Sequence, residues 1–173
     1  VTFKGDDFLL RLTLSLVLIK MVFRDQVVAA YQKIQDEICS SLELADGQAK
    51  FEEEIWNREG GGGGRTRIMQ HGAVIEKGGV NFSAVHGKLP DAVKKAFKVE
   101  NDEFFATGVS IVMHPSNPFV PIIHMNIRYF EMDEQTRWFG GGIDLTPHYI
   151  IDTDARFFHH LLKQTCDEFD ASF

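Results

Sequence analysis

Strict alternation of apolar and polar positions is concentrated between Val109 and Phe130. Along residues 122–130, His124, Asn126 and Arg128 fall on one face of a strand, and Ile123, Met125, Ile127 and Tyr129 fall on the other. Val109 to His114 alternates likewise, grouping Ser110, Val112 and His114. Pro115, Pro118 and Pro121 lie in the connection, cannot continue a strand, and predict a wide hairpin. With that hairpin centred near Phe119, His114 faces His124, Val112 faces Asn126 and Ser110 faces Arg128, their Cβ atoms about 5 Å apart. Two edge strands with a wet outer face would satisfy this pattern. So would the wall of a site: a base titrating near neutrality, an amide and a guanidinium in register suit an anionic, proton-exchanging ligand.

A third strand is predicted over Arg137 to Pro147, although Gly140, Gly141 and Gly142 weaken it. Either a flat ligand lies against bare backbone there or the strand is kinked. Asp144 continues the alternation, as a site residue or as the cap of a turn before Pro147.

Elsewhere the spacing is helical. Val27, Tyr31, Ile34, Ile38 and Leu42 form one apolar stripe, so Phe23 to Leu44 reads as a helix stopped by Asp46 and Gly47. A shorter helix is expected over residues 48–58, with Phe51, Ile55 and Trp56 inward. Short strands are expected at Ala73–Glu76 and Val80–Val85, parted by Gly78 and Gly79. Residues 88–104 read as a polar loop with a helical turn from Asp91. A last helix opens at Asp152 or Thr153, with Ala155, Phe158, His159, Leu162 and Cys166 along its apolar stripe. His159 is there a core histidine or a ligand.

Five glycines, Gly60 to Gly64, lack both the Gly-Lys-Ser/Thr ending and the preceding strand of a phosphate loop. They form a flexible linker, or a place where backbone nears a ligand whose carboxylates meet Arg65 and Arg67. His71 and His86 read as surface histidines in turns.

Composition narrows the partners. The 173 residues suffice for one domain with a core, and a formal net charge of −7 argues against nucleic acid or an anionic membrane surface. Cys39 and Cys166 have no disulfide or metal-type spacing and read as buried free thiols of a reducing compartment. Leu9 to Ile19 is apolar, yet too short and too interrupted by Arg11 for a membrane span, and no cleavage site follows. Residues 1–22 are left as an unassigned apolar extension, with Met21 an alternative start.

Several ordered motifs bear a resemblance. Glu54-Ile-Trp-Asn-Arg58 with Gly64-Arg-Thr-Arg67, Glu76 to Gly87, Gly108-Val-Ser110, His114-Pro115, His124, Asn126-Ile-Arg128 and Trp138-Phe-Gly-Gly-Gly-Ile-Asp-Leu-Thr-Pro147 together resemble the oxygen-dependent coproporphyrinogen III oxidases of haem biosynthesis. The resemblance covers residues 23–173, as the N-terminal part of one family domain. It implies an α+β fold, a large antiparallel sheet flanked by helices on both faces, here incomplete at the C-terminus. It implies oxidative decarboxylation of two propionates of coproporphyrinogen III to vinyls, with O2 as co-substrate and no organic cofactor. On the matching positions, it gives His124 the catalytic proton transfer and Ser110, Asn126, Arg128 and Asp144 the substrate, with Asp144 accepting from pyrrole N–H groups. Arg65 and Arg67 are further candidates for carboxylates. The glycine run would let the macrocycle lie on the sheet.

His114, His124 and His159 match proposed metal-ligand positions, so a divalent metal is compatible but not required. A homodimer is implied for the full-length enzyme, in the cytoplasm, with mitochondrial or plastid targeting left open, without nucleic acid or an integral membrane span. Two other readings compete: a metal-dependent oxygenase with a two-histidine-one-carboxylate site, and a non-catalytic tetrapyrrole-binding fragment.

Overall fold

The computed structural model describes the backbone of residues 5–172 and the side chains of residues 23–172. The reading of Leu9 to Ile19, and of residues 1–22 as an extension, concerns side chains outside the described residues. Along the chain run α1 (Gly5–Asp46), β1 (Glu52–Asn57), β2 (Gly62–Gln70), β3 (Ile75–Lys88), α2 (Asp91–Phe97), β4 (Glu103–Pro115), β5 (Ile122–Glu131), β6 (Arg137–Thr146) and α3 (Asp152–Asp167). The six strands make one open antiparallel sheet in sequence order. The fold is therefore α+β, as the resemblance implied. Among the described residues no helix is long and apolar enough to cross a membrane.

The core lies between α1 and one sheet face. Val27, Tyr31 and Cys39 of α1 meet Met69, Val80, Phe82, Val109, Ile111, Met113 and Tyr129. Within each strand these residues share a parity, so their neighbours in sequence must occupy the other face. Gln35, fully buried in α1, is satisfied. Its Nε2 donates to the carbonyls of Arg65 and Val80 at 2.8 Å each, and its Oε1 accepts from Arg65 Nε at 2.7 Å. At the β5 end, buried Glu131 accepts from Arg24 Nη2 at 2.9 Å and from the Tyr129 hydroxyl at 2.7 Å. Burial and that carboxylate push the Tyr129 phenol up to about 12, so it stays a neutral donor. Removing one partner of such a buried ion pair costs about 3–5 kcal/mol.

The other face carries only a small cluster at one end. Leu89, Val99 and Met132 are buried there with Val93 of α2 and with Phe104 and Phe130, and Phe97 stacks on Trp138.

Three sequence expectations are corrected. Within residues 48–58 the structure has strand β1, Glu52–Asn57, and no helix. Pairing with β2 satisfies their backbone, and tertiary pairing overrides a six-residue local pattern. Gly78 and Gly79 do not divide β3, because both pair with β4 opposite Met113 and Val112; a Cβ on Gly78 would lie 2.4 Å from Met113 Sδ, so that flexible side chain would have to shift. His86 accordingly sits in β3 rather than in a turn, while His71, at φ 57°, does occupy one. The α3 stripe does not reach a core. His159 is exposed, Phe158, Leu162 and Cys166 are half-buried, and only Cys39 of the two cysteines is buried.

α1 ends at Asp46, followed by Gly47 in the left-handed region at φ +75°. The Asp46 carboxylate takes the N–H groups of Gln48 and Ala49 after the helix, of Ala73 and Val74 before β3, and of Ile75 at its start. Those donors, Ala49 first and then Ile75 and Val74, hold its acid well below the usual carboxylate range. An acid depressed in the folded state stabilises fully above its ordinary value of 3.8, and that contribution fades as pH falls toward the folded value. We expect Asp46→Asn to lower Tm by several degrees at pH 7 and to flatten the acid loss of stability below pH 4, measured by thermal melts across that range.

Candidate functional site

Each strand that sends one residue under α1 sends the next onto the open face, where the alternating polar residues converge. Across that face, Asn81, Ser110, Asn126 and Gly142 are register neighbours on β3 to β6. One step along lie Ser83, Gly108, Arg128 and Gly140. On the other side of the first row lie Val112, His124 and Asp144. The first two rows floor a cavity of about 830 Å³ whose lining also includes Trp56, Phe130 and Trp138.

The register differs by two residues from the sequence expectation. Ser110 faces Asn126 and Val112 faces His124, so the hairpin centres on Pro118 rather than Phe119. Its tip is tightened by the Val120 N–H donating to the Asn117 carbonyl at 3.0 Å and the Phe119 N–H to Asn117 Oδ1 at 3.0 Å. The shift places glycine on both sides of Arg128. Its guanidinium is exposed and, among the described residues, makes no ion pair or hydrogen bond. The other arginines among the described residues are engaged: Arg24 with Glu131, Arg58 with the His86 carbonyl, Arg65 with Asp36, Arg67 with Glu53, Arg156 with Asp152, and Arg137 over the Phe23 ring. Arg65 and Arg67, candidates for ligand carboxylates in the sequence, lie on the α1 face and are held there.

Not all the glycines are alike. A Cβ on Gly108 would lie 2.4 Å from the Ile127 carbonyl oxygen, and one on Gly141 would lie 2.3 Å from that of Asn126. Close backbone approach requires glycine at both. At Gly140 the nearest atom would be 3.7 Å away, and at Gly142 nothing lies within 4 Å. Packing does not call for glycine at those two positions, yet both line the cavity. A side chain there would fill it.

His124 and Asp144 form a couple, with Nδ1 and Oδ1 2.9 Å apart. Thr146 donates its hydroxyl to the same oxygen at 3.3 Å. The imidazole first, then the hydroxyl, hold the Asp144 acid below the usual carboxylate range, so at neutral pH it is an anion. The His124 nitrogen facing it must therefore carry its proton, which leaves Nε2 to exchange one with a ligand. The couple is open to solvent, with side-chain exposures of 45% and 56%.

The three histidines matched to metal ligands do not converge. His114 lies at the end of β4 beside Lys77, outside the cavity. His159 lines a second cavity, about 250 Å³, with Asp144, Asp154 and Tyr149. Among the described residues no group of three His, Cys, Asp or Glu side chains could hold a metal ion, so the donor set does not fit one. Trp56, Asn81 and Ser83 line the cavity without having been singled out. The alternation of Asn81, Ser83 and Val85 against Val80, Phe82 and Ala84 would have revealed two of them; Trp56 was hidden by the helical reading of β1.

Comparison with known proteins adds to this geometry. Residues 26–173 match the family described as Coproporphyrinogen III oxidase. An oxygen-dependent coproporphyrinogen-III oxidase, chloroplastic, of Glycine max is 49% identical over 157 residues, which is 82% of this chain and 41% of that protein. The oxygen-dependent coproporphyrinogen-III oxidase of a Synechococcus strain is 49% identical over 146 residues, 83% of this chain and 40% of that protein. Coproporphyrinogen-III oxidase 1, chloroplastic, of Arabidopsis thaliana is 46% identical over 154 residues, 80% and 40% respectively. The chain thus spans about two fifths of the length of these relatives.

Gly142→Ala should stabilise by about 0.4–1 kcal/mol, because the unfolded chain loses freedom and nothing clashes. Gly141→Ala should destabilise by about 1–3 kcal/mol through its contact with backbone. Denaturant unfolding of the two variants separates a glycine kept for the cavity from one kept for the sheet.

Proposed function

This chain belongs to the coproporphyrinogen III oxidase family, and from that premise we propose that its open sheet face binds coproporphyrinogen III and takes part in converting two of its propionates to vinyls. In each conversion the propionate loses CO2 and a hydrogen from the carbon next to the ring. The two electrons released, with the proton of that hydrogen and one proton from solvent, reduce O2 to hydrogen peroxide, and no organic cofactor is needed because the pyrrole ring is itself electron-rich.

The observation that carries this reading is Arg128: an exposed, unpaired guanidinium between two glycines, over a floor that backbone keeps low. A carboxylate is the partner such a fork takes. Ser110 and Asn126, side by side beneath it, supply further donors. Asp144 is the anion for pyrrole N–H groups. Its Oδ1 already takes His124 and Thr146, so Oδ2 is the oxygen for the substrate. His124 Nε2 gives or takes the proton as the ring is oxidised. A homodimer of the full-length enzyme, located in the cytoplasm or an organelle such as the plastid, belongs to the same proposal.

A second reading keeps the binding and drops the turnover. It is favoured by the exposure of the His124–Asp144 couple, because charge chemistry is weak where water has free access.

Reduced coproporphyrinogen III in air, with the products oxidised to porphyrins and separated, tests both. We expect protoporphyrin from the chain, a loss of about a hundredfold or more in rate for His124→Ala, and a fall of about tenfold or more in kcat/KM for Arg128→Ala. Substrate binding without product would overturn the oxidase reading for this polypeptide and leave the binding one. A chelator should not change the rate. Stoichiometric iron, with activity lost to the chelator, would instead favour a histidine-ligated metal oxygenase.

A further inference from the structure

Trp56 stands at the opposite end of the same cavity from Arg128. Its Nε1 donates to Thr66 Oγ1 at 3.2 Å, and a Cβ on its cross-strand neighbour Gly64 would come within 2.4 Å of Trp56 Cζ2. The indole therefore lies on bare β2 backbone and is tethered at its one polar atom. Among the described residues no other ring packs against it, whereas Trp138 is stacked on Phe97 and tilted against Phe130. A large aromatic that is fixed, half-buried and faces a cavity is prepared for a flat partner.

Between Trp56 and Arg128, the register runs through Gly64, Ser83 and Gly108. Four strand steps separate the two ends, about 19 Å along the sheet, so a single pyrrole acid cannot touch both. Asn81 lies in the adjacent row next to Ser110 and is exposed. Neither its amide nor the Ser83 hydroxyl has a side-chain hydrogen bond among the described residues. This end of the cavity thus holds one aromatic wall and two uncommitted donors, and no cation.

We propose that Trp56, Asn81 and Ser83 form a second half-site for the macrocycle. The indole stacks on the pyrrole ring farthest from His124, and the amide and hydroxyl donate to that ring's carboxylate. This rests on the tetrapyrrole reading above. Neutral donors hold a distal carboxylate without competing with Arg128 for the reacting one, and the indole fixes which ring lies far from His124. Trp56 is in this sense a residue that selects substrate orientation.

The test is titration of the full chain with coproporphyrin III, the oxidised form that cannot react, followed by visible absorption. Trp56→Ala should raise Kd about fivefold, the size of one aromatic contact, while Trp56→Phe stays close to the parent. Asn81→Ala should raise Kd about threefold. Its exposed position lets it carry the test alone if Trp56→Ala fails to fold. Rescue by phenylalanine, which cannot donate to Thr66, separates stacking from support of β1. Unchanged affinity in Trp56→Ala and Asn81→Ala, with Arg128→Ala weakened, overturns the half-site and leaves the proposed function standing. Unchanged affinity in all three overturns the tetrapyrrole reading itself.

Discussion

Burial of one sheet face under α1 is the constraint on which the rest of this structure depends. Because side chains alternate along a strand, committing Val109, Ile111 and Met113 to the helix commits Ser110 and Val112 to the opposite side. The same holds for Met125 and Ile127 against His124, Asn126 and Arg128. A slip of one residue would bury a guanidinium and an imidazole beneath α1 and expose the core, so the hydrophobic effect excludes it. The polar face is thus ordered by residues that never touch a ligand.

Charge is divided in the same way. On the α1 side, Arg65 and Arg67 share Asp36 and Glu53, which tie α1, β1 and β2 together, and Arg24 is locked to buried Glu131. These groups are committed to structure and cannot be recruited by a ligand without breaking the packing. On the open side, Arg128 meets neither a carboxylate nor a carbonyl among the described residues. A protein this acidic that leaves one guanidinium uncompensated beside a cavity has a standing attraction for an anion there, local enough to act against a net charge of −7.

What was legible in the sequence follows from the same physics. Period-two alternation reports faces, and faces survive a register shift of two. Ser110, Asn126 and Arg128 were therefore placed on one wall even though their partners were assigned wrongly. Partner identity depends on the turn, and the pull of Asn117 on the chain around Pro118 has no signature in the periodicity. β1 was missed because six residues cannot show whether their period is two or three to four; their state is decided by β2, already beside them in the fold. His159 was misjudged because an apolar stripe states that a helix needs cover, not what covers it. The ordered motifs identified the family that residues 26–173 match, a signal independent of any of these local errors.

The couple of His124 and Asp144 differs in kind from the floor beside it. The floor is built: backbone clashes require Gly108 and Gly141, β4 lies between β3 and β5, and the donors along it are fixed by register. The couple joins adjacent strands through the His124–Asp144 contact, with Thr146 on the same carboxylate oxygen, and stands in water, where its anion and its imidazole are strongly screened. Recognition tolerates that, since a carboxylate fork and a stacking wall work at a wet surface. Proton transfer to an oxidising ring gains from a dry one, and anything that settles over the open face of β6, where Asp144 stands exposed opposite His124, would strengthen every charge interaction in the couple without moving an atom of the floor. On the proposed reading, then, binding rests on groups that register fixes from β1 to β6, whereas the strength of the chemistry depends on what shields the last strand from water.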